Sequence, residues 1–379
     1  MKKLRGLSLF SNVGIAEAGL DILADVDIIY ANELLKDRAE FYSCVHPNTQ
    51  MIQGDITNDE LRETIITKSI EANINFIIAT PPCQGMSEAG NRLDFDERNQ
   101  LILYVVDVIN RVKPQFAIIE NVPTILKTKI VFKGEILLIP DYLKRELSDY
   151  KFNNDSLIKA MDHGIPQMRE RNIYLLVRKD INITWTFPPK EDIITLRQSI
   201  GNLPSLDPYL REGEDFTIQK FPLFHKRKEN GLKISKWHFP PTHSWKQVEW
   251  MMHTPSGKSA IYNEKYYPQK VDGTPVVAHH NHYRRMNWDK PARTITQNNG
   301  VISSLACVHP GREYVENGQT LYSDARVLTI YELLIVSSLP LDWPIPFWAK
   351  ESFIRKVIGE GIPSRLITVI VEQLLKNIL

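Results

Sequence analysis

The chain has 379 residues, of which 43% are hydrophobic and 24% charged, and its 46 basic and 45 acidic side chains leave a net charge of +1. This excludes a disordered, collagen-like or fibrous protein, and the length points to two domains with sizeable cores, one of them interrupted. No apolar run approaches the roughly 20 residues of a membrane helix, and the basic, apolar start is interrupted by Asn12 and Glu17, unlike a secretory leader.

In chain order, short β-branched runs at 7–10, 27–31, 49–53, 75–79, 116–119 and 173–177 predict strands, with helix-like stretches between them. One such stretch, 58–72, carries Leu61, Ile65, Ile66 and Ile70 at helical spacing behind a polar cap at Thr57 or Asn58. The alternation predicts an α/β protein with a mostly parallel, Rossmann-like sheet covered by helices on both faces. After Trp185 the sequence becomes turn-rich and Pro-punctuated. We therefore expect a first domain over 1–186, a smaller irregular one over 187–325, and a return to the first over 326–379. The closing helix, 365–379, sets Ile367, Val371, Leu374 and Ile378 on one face.

Charge is unevenly spread. Residues 1–120 hold 11 Lys/Arg and 18 Asp/Glu, a net of −7, whereas residues 221–300 hold 13 and 5, a net of +8. That basic block also contains seven of the ten histidines and four of the seven tryptophans. It reads as a polyanion-binding unit, with Lys226, Arg227, Lys228, Arg284 and Arg285 as phosphate-contact candidates. The three cysteines, Cys44, Cys83 and Cys307, are too widely spaced for a disulfide framework or zinc knuckle and fit a reducing cytoplasm; no metal is expected, His279-His280-Asn281-His282 included.

Phe10, Glu33, Asp55, Cys83 and Glu120 all fall at or just beyond the carboxyl ends of expected strands, the edge where open α/β sheets bind ligands. Phe10 with Gly14 marks a tight turn into a helix, and Glu33 stands 23 residues after Phe10, where a carboxylate meets ribose hydroxyls. Asp55 is placed to accept from an adenine amino group. The turn lacks a phosphate-cradling glycine loop, which favours an adenosine cofactor without pyrophosphate. Cys83, in Pro81-Pro82-Cys83-Gln84-Gly85, is presented as a nucleophile, and Glu120, at the mouth of a hydrophobic strand, as an acid whose pKa burial raises.

These residues, together with Glu120-Asn121-Val122, Gln167-Met168-Arg169-Glu170-Arg171, Pro291-Ala292-Arg293-Thr294-Ile295-Thr296, Arg326 with Thr329 and Glu332, and Ile358-Gly359-Glu360-Gly361-Ile362-Pro363, resemble the ordered motifs of the DNA (cytosine-5)-methyltransferase family. The resemblance runs from residue 7 to about 370 and leaves 190–280 unmatched. It implies S-adenosyl-L-methionine as donor, held by Phe10, Gly14, Glu33, Asp55, Ile56, Pro82, Leu101, Gly359, Glu360 and Ile362. It implies Cys83 adding to cytosine C6, Glu120 holding N3, Arg171 on the base, and Arg169 on backbone or phosphate. Duplex hides the target ring, so the base must be flipped out; Ser87, Arg92 and Arg98 resemble the loop that closes over it. Double-stranded DNA is the implied partner, read by 187–325, for a nucleoid-associated cytoplasmic monomer working beside a separate restriction endonuclease. An RNA-methylating relative and a catalytically silent DNA-binding subunit are the alternatives, and the long basic region favours DNA. The pattern departs at Asn12 and Ile15, where glycine is common, and at Glu360, where asparagine is common.

Overall fold

The structure, a computed structural model, describes residues 3–82 and 97–378. The expectations for Cys83, Ser87 and Arg92 lie outside the described residues.

Five parallel strands, β1 (Leu4–Leu9), β2 (Val26–Glu33), β3 (Gln50–Gln53), β4 (Phe76–Ala79) and β5 (Phe116–Asn121), form the body of the sheet. After a hairpin of β6 (Lys129–Phe132) and β7 (Glu135–Leu138), the chain adds β8 (Tyr150–Phe152), β9 (Leu157–Lys159) and β10 (Glu170–Arg178). The strand order is β3-β2-β1-β4-β5-β10-β8, with β9 also on β10. All six strands expected from the sequence are present. Order reverses between β1 and β4, so a crevice opens beyond their carboxyl ends. β10 runs antiparallel to β5 and pairs Ile173 with Glu120 and Asn172 with Asn121.

The β-branched runs of β4 and β5 are wholly buried because both sheet faces are covered. Helices α1 (Lys36–Val45), α2 (Asp59–Glu71), α3 (Leu101–Val112) and α4 (Ile139–Glu146) precede the second unit. Leu7, Leu9, Ile77, Ala79, Ala117 and Ile119 pack against Ile65, Val105, Ile109 and Leu143 of α2, α3 and α4. Asn58 caps α2 by accepting from the Leu61 amide at 2.9 Å. Ile70, expected on the buried stripe, is 53% exposed. A helix drifts about 40° every four residues, which carries Ile70 past the edge reached by Ile66.

Region 187–325 holds more helix than its sequence suggests: α5 (Leu196–Ile200), α6 (Glu214–Lys220), α7 (Phe224–Ile234) and α8 (Trp245–Met252). These are short, and α7 buries Phe224 and Gly231 while most of its surface faces solvent, so no apolar period announces it. Leu210, Val248, Met251, Ala260, Ile302, Val308, Ala325 and Val327 form a core there. The chain ends in α9 (Ile330–Val336), α10 (Glu351–Glu360) and α11 (Ser364–Ile378). As the final apolar pattern suggests, Leu366, Ile370, Val371 and Leu374 of α11 cover the other sheet face against Leu4, Phe76, Ile78, Phe116 and Ile118.

A buried charge network joins the second unit to α9. Arg326, fully buried, bonds both carboxylate oxygens of Glu332 at 2.8 and 2.9 Å and Asp324 at 2.9 Å. Thr329 and Glu332 close a capping box at the start of α9. Arg285 belongs to the same interior, which corrects its assignment as a phosphate contact. It is fully buried and donates to the carbonyls of Met251, His309, Tyr322 and Asp324. Sealed from the surface, it satisfies buried carbonyls and is not placed to meet a phosphate.

Replacing Arg326 by Met leaves the buried Glu332 without its guanidinium and Asp324 with Arg312 alone, and the cost is expected to be about 3–5 kcal/mol. Urea unfolding of the variant should show it as a lower midpoint; an unchanged midpoint would show that the network contributes no net stability.

Candidate active site at the carboxyl edge of the sheet

The turn after β1 is shaped by three left-handed residues, Phe10 (φ 58°), Asn12 (φ 50°) and Gly14 (φ 79°). Thr80, just beyond β4, donates its amide to the Leu9 carbonyl at 3.2 Å and its hydroxyl to the Phe10 carbonyl at 3.0 Å. Asn121, at the end of β5, donates to the Pro81 carbonyl at 3.0 Å. The segment leading into Cys83 is thereby fixed to β1 on one side and β5 on the other. Thr80 and Asn121 were not assigned roles from sequence, since a single polar side chain at a strand end carries no periodic signal.

Glu33 ends β2, is 6% exposed, and accepts from the amides of Asn12 and Leu35, each at 2.9 Å. Burial raises its carboxyl above the ordinary value, and those bonds and Arg38 oppose the rise. Asp55 is exposed and accepts from the Thr57 amide at 2.9 Å. It lines an open concavity with Gly54, Asn58 and Leu61. Ile56 is 3% exposed and its side chain belongs to the core, so it has no open face for adenine. Pro82 and Leu101 are half-buried.

The residues at which the chain departs from the family pattern are neighbours. Asn12 donates its side-chain amide to Glu360 at 3.2 Å, and Arg38 pairs with the same Glu360 oxygen at 2.9 Å. Ile15 lies against Gly361, where a Cβ would come within 2.7 Å of Ile15 Cδ1. The bulk added at Ile15 is accommodated by the glycine opposite it, and the charge added at Glu360 is balanced by Arg38. Nothing in the spacing of the sequence singled out Arg38. Asn12 Oδ1 and Glu360 Oε1 are buried acceptors without a protein donor. Two such acceptors, with the Glu33 carboxylate nearby through the Asn12 amide, suit a cofactor that presents an ammonium at one end and ribose hydroxyls at the other.

Glu120 and Arg171 are brought together by the antiparallel register of β5 and β10. Arg171 Nε lies 2.8 Å from Glu120 Oε1, and both residues are 8% exposed. Burial raises the Glu120 carboxyl, against the opposing charges of Arg171 and Arg169. Arg169, grouped with the catalytic residues from sequence, is 3% exposed and donates to the carbonyls of Ile295, Gly359 and Glu360 at 2.8, 3.2 and 3.0 Å. It ties the C-terminal end of α10 to the start of β10. Gly359 is pressed onto the Thr296 backbone, where a Cβ would collide, and Ile362 is 4% exposed in the core; neither side of that segment is a ligand surface, which leaves Glu360 as its polar contribution. The motif at 291–296 is held by the Met168 amide to the Ala292 carbonyl at 2.7 Å and the Ala292 amide to the Pro166 carbonyl at 2.9 Å.

Of the basic candidates, Lys226, Lys228 and Arg98 are exposed and Arg284 is half-buried. Arg227 is paired with the buried Asp207. Among the described residues no helix is long and apolar enough to cross a membrane.

A left-handed turn after β1, a buried acid–guanidinium pair and a reversed strand order meet at one edge of this α/β sheet, the place where such folds bind their ligands. The family model for C-5 cytosine-specific DNA methylase matches residues 4–376, and the chain belongs to that family. It is 41% identical over 379 residues to the Type II methyltransferase M1.HgaI of Avibacterium volantium, covering 98% of each chain. It is 24% identical over 376 residues to the Type II methyltransferase M1.HphI of Haemophilus parahaemolyticus, covering 98% of this chain and 86% of the other. A crystal structure of a putative DNA modification methyltransferase from an Escherichia coli prophage shares the fold, with a TM-score of 0.67 at 21% identity and 99% coverage of both chains. The protein is a DNA cytosine-5 methyltransferase with S-adenosylmethionine as its donor.

Substituting Arg171 by Met removes the strongest opposing charge from Glu120. The carboxyl should rise further from its ordinary value, read as an upward shift of the Glu120 side-chain carbon titration in NMR; no shift would mean that the pair is not electrostatically coupled.

Proposed function

We propose that the chain is a sequence-specific modification enzyme of Type II restriction–modification, with Cys83 as nucleophile, Glu120 as acid and Arg171 as the residue that orients that acid. The observation that carries this reading is the buried Glu120–Arg171 pair beside the tethered Pro81-Pro82 turn.

Cytosine C5 is too weak a nucleophile to take a methyl group unaided. The Cys83 thiolate adds to C6, N3 takes a proton, and C5 gains enamine character. A free thiol with pKa about 8.5 is only a few per cent ionised near neutrality, so the step depends on a partner that stabilises the adduct. Glu120 is suited to be that partner, because burial raises its carboxyl toward the proton-donating range and Arg171 fixes one carboxylate oxygen so that the other can face the ring. When bound, S-adenosylmethionine supplies an electrophilic methyl sulfonium. Loss of the C5 proton and expulsion of the thiol restore the aromatic ring. Phe10, Glu33, Asn12 and Glu360 hold the cofactor: Phe10 by stacking, Glu33 at the ribose hydroxyls, and the unpartnered acceptors of Asn12 and Glu360 at the ammonium. Arg169 acts indirectly, by holding Gly359 and Glu360 over the edge. Gly14 shapes the turn, while Asp55, with Ile56 through its backbone, Pro82 and Leu101 border the adenosine.

Residues 187–325 are the DNA-reading unit, joined to the catalytic unit formed by 1–186 and 326–379. Lys226, Lys228 and Arg284 contact phosphates there, and Ser87, Arg92 and Arg98 close over the extruded base. The protein works as a monomer on duplex DNA in the cytoplasm, alongside the nucleoid, and a separate endonuclease cuts the unmethylated site. The Type II names of its relatives support this last step.

Transfer of labelled methyl to DNA should fall by at least about 10³-fold in Cys83→Ala and by about 10²–10⁴-fold in Glu120→Gln. Undiminished transfer by Cys83→Ala would overturn the mechanism, and bisulfite sequencing of host DNA reports the modified site. Removing Lys226 and Lys228 together should weaken DNA binding across sequences and reduce the slope of log K against log salt by about 0.9 for each phosphate no longer neutralised; an unchanged slope removes α7 from the interface.

A further inference from the structure

Behind the cofactor turn lies a buried histidine that the reaction does not use. His46 follows α1 and is 3% exposed. Its Nε2 lies 2.9 Å from the Gly14 carbonyl and its Nδ1 lies 2.7 Å from Asp21 Oδ2. A carbonyl and a carboxylate both accept, so both ring nitrogens must carry protons and the ring is an imidazolium. The Gly14 carbonyl also accepts from the Ala18 amide at 3.0 Å, so His46 completes its hydrogen bonding. The fit requires glycine: a Cβ at residue 14 would collide with the imidazole and with Tyr42.

Three titratable groups surround the ring. Asp21 is half in solvent, with 53% of its side chain exposed. Glu17 is 1% exposed; one oxygen meets the Ser8 hydroxyl and the other has no partner. The Tyr42 ring sits 4.6 Å from the imidazole, its hydroxyl buried beside Thr49. Burial works against charge on His46, but the bond to Asp21, the charges of Asp21 and Glu17 and the Gly14 carbonyl outweigh it and raise the ring above its ordinary value.

We infer that His46, as the imidazolium, is a positioning residue for the cofactor: it braces the Gly14 carbonyl and so fixes the Phe10-to-Gly14 turn that presents Phe10 and Asn12. The inference rests on that turn being the cofactor turn. Because folding raises the ring's pKa, the brace is complete at and below a histidine's ordinary pKa of about 6.5 and is lost as pH rises through the higher value of the folded protein. Loss of one proton forces either the carbonyl or the carboxylate to face a lone pair.

The test uses the full chain. Calorimetric binding of S-adenosylmethionine, from about pH 6 to about pH 9, should weaken with rising pH in the unaltered protein. In His46→Asn, which keeps one amide donor and has no titrating proton, affinity should be about tenfold lower at the acid end and should vary with pH only through the cofactor's own ammonium. Asp21→Asn, at a half-exposed position, should move the wild-type transition to lower pH. Independently of any variant, nitrogen NMR of the His46 ring should show both nitrogens protonated near pH 6.5. A neutral tautomer there, or the same pH profile in wild type and His46→Asn, overturns the inference. Phe10→Ala binding the cofactor as tightly as wild type would instead overturn the reading of the turn itself.

Discussion

The ion pair between Glu120 and Arg171 depends on one antiparallel strand. The other strands of the central body run parallel and deliver their carboxyl ends to a common edge. β10 enters in the opposite sense, so that its beginning, not its end, lies at that edge. Arg171 thus arrives beside Glu120 from a segment some fifty residues later in the chain. A carboxyl group buried without that partner would incur a large desolvation cost or stay protonated throughout. With it, the upward push of burial on the carboxyl is opposed by the neighbouring guanidinium.

The same edge is secured by a set of hydrogen bonds to backbone carbonyls. Thr80 holds the Leu9 and Phe10 carbonyls, Asn121 that of Pro81, and Arg169 those of Ile295, Gly359 and Glu360. Each cross-links a loop that would otherwise be free to move relative to the sheet, so loops from distant parts of the chain share one frame. The C-terminal segment is part of that frame: α11 covers a face of the sheet, and the turn before it reaches the cofactor side. A sheet edge assembled from both halves of the chain leaves residues 187–325 as an insertion between the segments that build it.

The departures from the family's usual residues are best understood as a coupled set. Asn12, Ile15 and Glu360 each look unfavourable alone, but Ile15 fills space left by Gly361, and Arg38 balances Glu360 while Asn12 bonds to it. Separated by nearly the whole chain, they form one local solution to packing and charge at the turn after β1.

The six strands, the capped helix α2 and the closing helix were legible in the sequence because apolar periodicity and capping chemistry act over a few residues. The placement of Phe10, Glu33, Asp55 and Glu120 at one edge was legible for a related reason, since strand ends in a parallel sheet share an edge. What the sequence could not separate were residues of one chemical type with opposite environments. Arg284 and Arg285 are adjacent and both basic, yet Arg285 is sealed in the interior by four carbonyls. Arg38 and His46 carried no spacing signal. Their roles arise from contacts across tens to hundreds of residues, and only the packed fold determines which carbonyls and carboxylates are left for a charged side chain to satisfy.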